Sequence, residues 1–470
     1  MAWWSRKTAG ALSGQTLLLI AIFTVAIFLR LALALLNRQA NDDHLRVVEL
    51  LLQKFRHLSR ADCPECFHPK LFYVVCVAIL KIMGVPGQTL RVQIAQFLNA
   101  LAGTATLTLI LAFLQASVLS ARTRVIVFAM VALNPSFIGI NGQATNDTFG
   151  ILFGTAALYG FWRFLRRPSL RPFLKTIAAV ALAIASKGTA LVIGIALGLA
   201  FIAQTIAGIV FGRGCCAGLR LAIVLGIIAL SIAVSDYDFS SYRDYGGLGR
   251  DAPLHLREPT LVLRPGVVSI ADSYLTFRFV GLLKEPMITN DIGNFPWHRT
   301  SVWTQLYARL HFVQFDNYPP MWLTRDPHVR NVGRVIFVFA LLPTFCFFWG
   351  LARRVRGTWR DWRRKGWLAL VDMESLWPLI VVVGYVLFIV KFTLDYRDFA
   401  AMKALYLFPG MLAFVALLAE GVEVLGSSVG RSKLWSRLLQ GGFAALALLY
   451  VWDLVLLLIH LVGFGRIGKT

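Results

Sequence analysis

The stretch TLLLIAIFTVAIFLRLALALLNRQANDDH, residues 16–44, decides how the rest of the chain reads. Its first part, Thr16 to Leu36, is an apolar block about as long as the roughly 20 residues a helix needs to cross a hydrocarbon core of roughly 30 Å. Arg6 and Lys7 precede it, as in a secretory leader. The block is too long, however, and too sparsely followed by small residues, for a cleaved signal peptide, so it is read as a permanent helix. Directly behind it, Asn41-Asp42-Asp43-His44 puts two adjacent carboxylates and an imidazole at a membrane surface.

Apolar blocks of this kind fill the chain. Of its 470 residues 57% are hydrophobic and only 15% charged, a membrane composition rather than that of a soluble domain. Where no water is available, backbone groups must bond within their own segment, so long apolar blocks read as helices. They lie near 15–36, 93–116, 125–141, 148–165, 173–186, 188–210, 219–235, 333–351, 375–391, 403–421 and 440–462. The expected fold is therefore all-α, a polytopic membrane protein of about eleven (10–12) transmembrane helices. No internal repeat and no low-complexity segment interrupts it.

A net charge of +23 raises the question of nucleic acid, but the basic residues fall in short clusters between apolar blocks: Arg122/Arg124, Arg163–Lys175, Arg213–Arg220, Arg353–Lys365 and Arg431–Arg437. That is the pattern of cytoplasmic loops, so the charge encodes orientation and no nucleic-acid partner is expected. With a cytoplasmic N-terminus the clusters are satisfied if the apolar stretch Leu71 to Val85 does not cross completely and forms a juxtamembrane or re-entrant helix. A full crossing gives twelve spans. The outward-facing segments are then 37–91, the turn 141–147, the long stretch 236–330 and a short loop near 391–402. The domain reading is an N-terminal transmembrane module over 1–235 that carries the first outer loop, an extracytoplasmic cap over 236–330, and C-terminal helices over 331–470. The cap is rich in Tyr, Trp, Pro and Gly, and outer loops of its length commonly carry function.

Chemistry-bearing residues collect on the outer face. Asp42 and Asp43 repel each other, so one holds its proton more tightly, and either suits a general base or, with His44, a ligand of a divalent cation. An ordinary helix cap before Leu45 reads equally well. Cys63-Pro64-Glu65-Cys66 is a small disulfide, a pair of free thiols, or half of a metal site completed by His44, His57 or His68; the first two readings are preferred because no second cysteine pair lies outside. Asn146-Asp147 opens a helix at the same face, where an acid is costly unless paired or functional, and also reads as an N-cap. Lys187, between two apolar runs, either pairs with a phosphate or snorkels. Arg397, Lys403 and Tyr406 add cations and a hydroxyl nearby.

In order and spacing these elements resemble the GT-C superfamily of integral-membrane glycosyltransferases, and especially the glycosyltransferase family 39 group of protein O-mannosyltransferases and aminoarabinose transferases. The elements are the acidic pair Asp42-Asp43 after the first helix; His68-Pro69-Lys70-Leu71-Phe72-Tyr73, similar to a His-Pro-Pro-Leu start of the next; the Asn134-Pro135 and Asn146-Asp147 helical pair; Lys187 at an outer junction; and Lys403-Ala404-Leu405-Tyr406-Leu407-Phe408-Pro409. The chain departs from the pattern at Asp43, where Glu is usual, at Lys70, which replaces a second proline, and at Leu405, which replaces an arginine.

The resemblance implies a GT-C-like architecture and a donor made of a sugar on a polyprenyl or dolichyl phosphate, with a glycan, lipid or protein as acceptor. Asp42 would be the base that deprotonates the acceptor hydroxyl, with inversion at the sugar and Asp43 assisting or binding metal. Lys187, Lys403 and Arg397, with Tyr406, would bind the donor phosphate, and His68, Lys70, Asn146 and Asp147 would position substrates. The resemblance fixes no cofactor; Mg2+ or Mn2+ at Asp42, Asp43 and His44 is the candidate cation. The expected location is a bacterial inner membrane rather than the endoplasmic reticulum, with the active site outside. Two rivals remain: a lipid-carrier glycan ligase or polymerase, using Arg278, His298, Arg299 or His311 of the cap, and a transporter or flippase.

Overall fold

The structure is a computed structural model that describes residues 13–39, 44–54, 58, 62–85, 87–167, 169–210, 226, 270–287, 300–315, 326–366, 369, 372–395, 402–429 and 432–467. Asp42, Asp43, His57, Arg397, His298, Arg299, nearly all of the expected 219–235 span and most of the cap lie outside these residues. Every regular element among the described residues is helical. The chain is an all-α, multi-pass membrane protein: among the described residues six helices are long and apolar enough to cross a bilayer, or seven if one bent pair counts as a single span.

The first helix, α1 (Gly14–Leu36), starts at Ser13, whose side chain accepts a hydrogen bond from the Thr16 amide. It is followed by α2 (His44–Gln53), a 3-10 turn at Pro64–Phe67, and α3 (Leu71–Ile82). At 12 residues, α3 is only about 18 Å long, too short to cross a bilayer. Leu45, Val48 and Leu51 of α2 repeat at helical spacing and pack with Phe72, Cys76 and Val77 of α3 into a small core of their own. That core rests on α4 (Gln88–Ala116) through Val92 and Ala95.

The expected span 125–141 is two helices, α5 (Ala121–Ala132) and α6 (Pro135–Asn141), bent by 49°. Pro135 has no N–H and pushes Asn134 out of the helical region, so the first helix must stop. Asn134 then caps the second by accepting from the Phe137 amide at 2.8 Å. The break leaves the Ala132 carbonyl without its helical donor, and Arg30 of α1, completely buried, supplies one at 3.0 Å. The same guanidinium donates to Asn141 Oδ1 at 2.7 Å and sits 4.8 Å from the centre of the Phe137 ring. A buried charge in the first helix is thus an inter-helix tie.

Next come α7 (Asp147–Arg166), α8 (Leu170–Ser186), a 3-10 turn at Gly188–Ala190 and α9 (Leu191–Val210). Of the cap, α10 (Ile270–Leu275), α11 (Phe279–Lys284) and α12 (Val302–His311) are described. The C-terminal part holds α13 (Pro327–Lys365), α14 (Met373–Asp395), a 3-10 turn at Ala404–Gly410, α15 (Met411–Val429) and α16 (Lys433–Ile467). The span expected at 403–421 is present as 404–428: a tight turn with Pro409 inside it runs straight on into α15.

Four of the five basic clusters meet at one end of the bundle; the fifth, Arg213–Arg220, lies outside the described residues. Arg166 bonds Glu374 at 2.6 Å, Arg354 pairs with Glu420 at 2.7 Å, Glu423 accepts from the Ser120 amide at 2.9 Å, and Arg122 donates to Ser436 at 2.8 Å. Near that end α13 and α15 cross with backbone against backbone: a methyl on Gly421 would run into the Cys346 carbonyl, and one on Gly350 into the Leu417 carbonyl. Small residues permit this close approach between membrane helices.

Gly421→Val should accordingly lower stability by about 1–3 kcal/mol, read from thermal unfolding in detergent. Gly426→Ala, whose added carbon meets open space, should leave the transition unchanged or raise it. Arg30→Met, which orphans the Ala132 carbonyl and the Asn141 amide, should cost about 1–3 kcal/mol.

Candidate active site

At the end opposite the basic clusters, amide side chains pin two stretches of backbone. Asn37, just past α1, donates to the Gly142 carbonyl at 2.9 Å, and Gln96 of α4 donates to the Gln39 carbonyl at 2.7 Å. Asn99, one turn further along α4, donates to the carbonyls of Gln143 and Thr145 at 2.6 and 2.7 Å. The 142–146 loop therefore cannot shift relative to α1 and α4 without breaking buried hydrogen bonds, which are expensive to leave unmade.

That loop delivers Asn146 and Asp147. Asp147 is the first residue of α7, where the helix dipole favours an anion. Its carboxylate accepts from the Thr145 hydroxyl at 2.7 Å and lies 3.1 Å from the Lys187 ammonium, with both side chains less than a tenth exposed. Lys187 also donates to Asn146 Oδ1 at 2.9 Å, while Asn146 Nδ2 donates to the Ser186 carbonyl at 2.9 Å. A Cβ on Gly150 would lie 2.8 Å from Lys187 Cβ, so this glycine lets the lysine stem lie flat against α7. The structure thus joins three residues singled out from the sequence. It gives the Lys187 ammonium an internal carboxylate partner, with which any phosphate would have to compete.

Beside this pair lies the first-loop module. His44, at the start of α2, is buried, its Nδ1 2.6 Å from the Tyr73 hydroxyl, and it lies within electrostatic reach of Asp147. The His44 and His68 ring centres are 5.3 Å apart, and His68 Nε2 is 2.8 Å from Glu65 Oε2. Lys70 donates to the carbonyls of Cys66 and His68 at 2.7 and 2.6 Å, capping the turn. Cys63 and Cys66 are joined as a disulfide, so neither is a thiolate ligand. Phe72 packs edge-on against Phe149 of α7 with ring centres 5.3 Å apart, which holds the module against the Asp147 helix.

A third group lies across α6. Lys403, Arg309 and Ser136 line a cavity of about 30 Å³, room for little more than water. Tyr406, on the turn that Lys403 opens, packs edge-on against Phe392 at 5.3 Å. Sequence reasoning missed Arg309, which sits in a cap helix with no motif around it. It also missed Asp453, buried in α16, which accepts from the Val313 amide at 3.0 Å and from Gln314 at 2.9 Å and so anchors the segment after α12. A lone acid in a long apolar block was the available signal. Of the cap residues considered for a ligase, His311 is buried against Tyr450, and burial pushes its imidazole down to about 3, so it stays neutral. Arg278 pairs with Asp272 at 3.0 Å.

Removing one partner of a buried ion pair leaves the other uncompensated. Lys187→Met should therefore cost about 3–5 kcal/mol in thermal or denaturant unfolding, and adding Asp147→Asn should recover most of it. A lysine serving a phosphate alone would leave unliganded stability unchanged.

A sequence model of the dolichyl-phosphate-mannose-protein mannosyltransferase family matches residues 85–212. No curated protein matches the chain significantly. Among solved structures, the Saccharomyces cerevisiae protein O-mannosyltransferase Pmt1-Pmt2 complex bound to the sugar donor is 17% identical, with TM-score 0.37, over 56% of this chain and 36% of that one. ArnT from Cupriavidus metallidurans bound to undecaprenyl phosphate is 13% identical, with TM-score 0.48, over 97% of this chain and 79% of that one. The oligosaccharyltransferase AglB from Archaeoglobus fulgidus, in complex with an inhibitory peptide and a dolichol-phosphate, is 16% identical, with TM-score 0.45, over 94% and 55%. The chain thus spans about a third of the length of the yeast chain and about half that of the archaeal one. Over the matched span, which contains Asn146, Asp147 and Lys187, the chain resembles protein O-mannosyltransferases, in line with the likeness its motifs carry.

Proposed function

We propose that the chain transfers a sugar from a polyprenyl- or dolichyl-phosphate donor to an acceptor hydroxyl at the outer face of its membrane. The observation that carries this reading is the mannosyltransferase match over residues 85–212, which takes in the buried Asn146–Asp147–Lys187 group. A buried acid and base at a membrane helix terminus are costly unless they serve a site.

In this reading the lipid tail stays in the bilayer and the sugar phosphate enters from the outer end. The Asp42 carboxylate, two residues before His44 in the sequence, takes the acceptor proton. The acceptor oxygen then forms a bond to the anomeric carbon opposite the phosphate, the carbon–oxygen bond to phosphate breaks with inversion, and the electron pair leaves on the phosphate. Asp43 assists the base. Lys403 and Arg397, joined by Arg309 across the small cavity, stabilise the charge that develops on the leaving phosphate, with Tyr406 nearby. Asp147 and Lys187 act on geometry, holding the 142–146 loop, and His68 and Lys70 shape the acceptor side. A glycan, a lipid and a protein hydroxyl all satisfy this chemistry, and the outer face of a bacterial inner membrane is the proposed setting.

The test is turnover of radiolabelled polyprenyl-phosphate sugars by purified protein in lipid. Wild type should release lipid phosphate and form a glycosylated product. Asp42→Asn should bind donor normally and lose about 10²–10⁴-fold in rate, and Lys403→Ala should weaken donor binding with stability retained. Normal turnover by Asp42→Asn would remove the base assignment, and absence of donor binding across the panel would remove the transferase reading.

A further inference from the structure

The first-loop module holds a group of side chains of which the sugar-transfer reading uses only His68, on the acceptor side. His44, Glu65 and His68 each offer a ligand atom, and the three atoms lie within 4.8 Å of one another. Ligands about 2.0–2.2 Å from a common ion stand roughly 3–4 Å apart, so small side-chain movements bring this set into register. Two imidazoles and one carboxylate favour a borderline transition metal over Mg2+, which prefers oxygen ligands.

The surroundings hold the set in place. The Tyr73 hydroxyl at 2.6 Å fixes the His44 ring from one side, as outer partners of metal-ligating imidazoles do. Glu65 and His68 project from one 3-10 turn, already 2.8 Å from each other, and the Cys63–Cys66 disulfide closes that turn on itself. Lys70 takes up the Cys66 and His68 carbonyls behind it. Because the two sulfurs are bonded to each other, the ligands on this loop are imidazole and carboxylate only.

We infer that His44, Glu65 and His68 form a binding site for a divalent transition metal, Zn2+ foremost, that ties the start of α2 to the 64–68 turn. The ion closes the 44–68 loop in the folded state and leaves a coordination position open to water or a substrate oxygen. This inference stands apart from the sugar-transfer reading, since metal is read without donor or acceptor.

The full chain, purified without a polyhistidine tag and stripped with chelator, is dialysed against Zn2+ in lipid nanodiscs, and bound metal is counted by mass spectrometry alongside thermal unfolding. Wild type should take up stoichiometric zinc and unfold at a higher temperature with it. His68→Ala and Glu65→Gln should each weaken binding about tenfold or more and lose the zinc-dependent shift, while unfolding like wild type without metal. If His68→Ala folds poorly, the half-buried Glu65→Gln carries the test. Three outcomes overturn the site: no zinc on wild type at micromolar free metal, unchanged affinity in both variants, or a preference for Mg2+ over Zn2+.

Discussion

Inside a bilayer a carbonyl that loses its helical donor has no water to turn to, and most of this architecture follows from how one such carbonyl is served. Pro135 ends α5, the Ala132 oxygen is left over, and Arg30 reaches across from α1 to bond it. The same side chain holds Asn141 at the far end of α6. The short bent helix is therefore clamped at both ends, and the loop it feeds emerges in a fixed direction. Asn37 and Asn99 take up that loop's carbonyls, and Asp147 arrives opposite Lys187 as a consequence. A charge that looks misplaced in an apolar helix is the first link in a chain that ends at the candidate site.

The apolar blocks made α1, α4, α14 and α16 legible, because a helix that must satisfy its own backbone in lipid leaves a long unpolarised signature. The breaks were less legible. The block at 125–141 reads as a single straight span because hydrophobicity is blind to Pro135 redirecting the chain within an apolar stretch. The shortness of α3 was readable, since length alone sets whether a segment spans. The buried roles of Arg30 and Asp453 were not, because the groups they tie to other helices lie more than a hundred residues away.

The site divides along the same line. Asn146, Asp147 and Lys187 were named from the sequence because each interrupts an apolar run, and the fold brings them into one ion-paired group. What the sequence could not convey is that Lys187 and Asp147 face each other as an ion pair across forty residues of chain. Arg309 joins Lys403 only through the packing of α12 over α6. Glu65 and His68 share one local turn, and His44 joins them because α2 and α3 share a small core.

The crossing of α13 and α15 bears on movement. Their backbones touch at Gly350 and Gly421 with no side chain between them, and Arg354 pairs with Glu420 beside the contact. Such a seam has no soft rotamers to absorb sliding, so the two helices travel as one strut. Any sliding within this bundle is therefore left to helix pairs separated by flexible side chains.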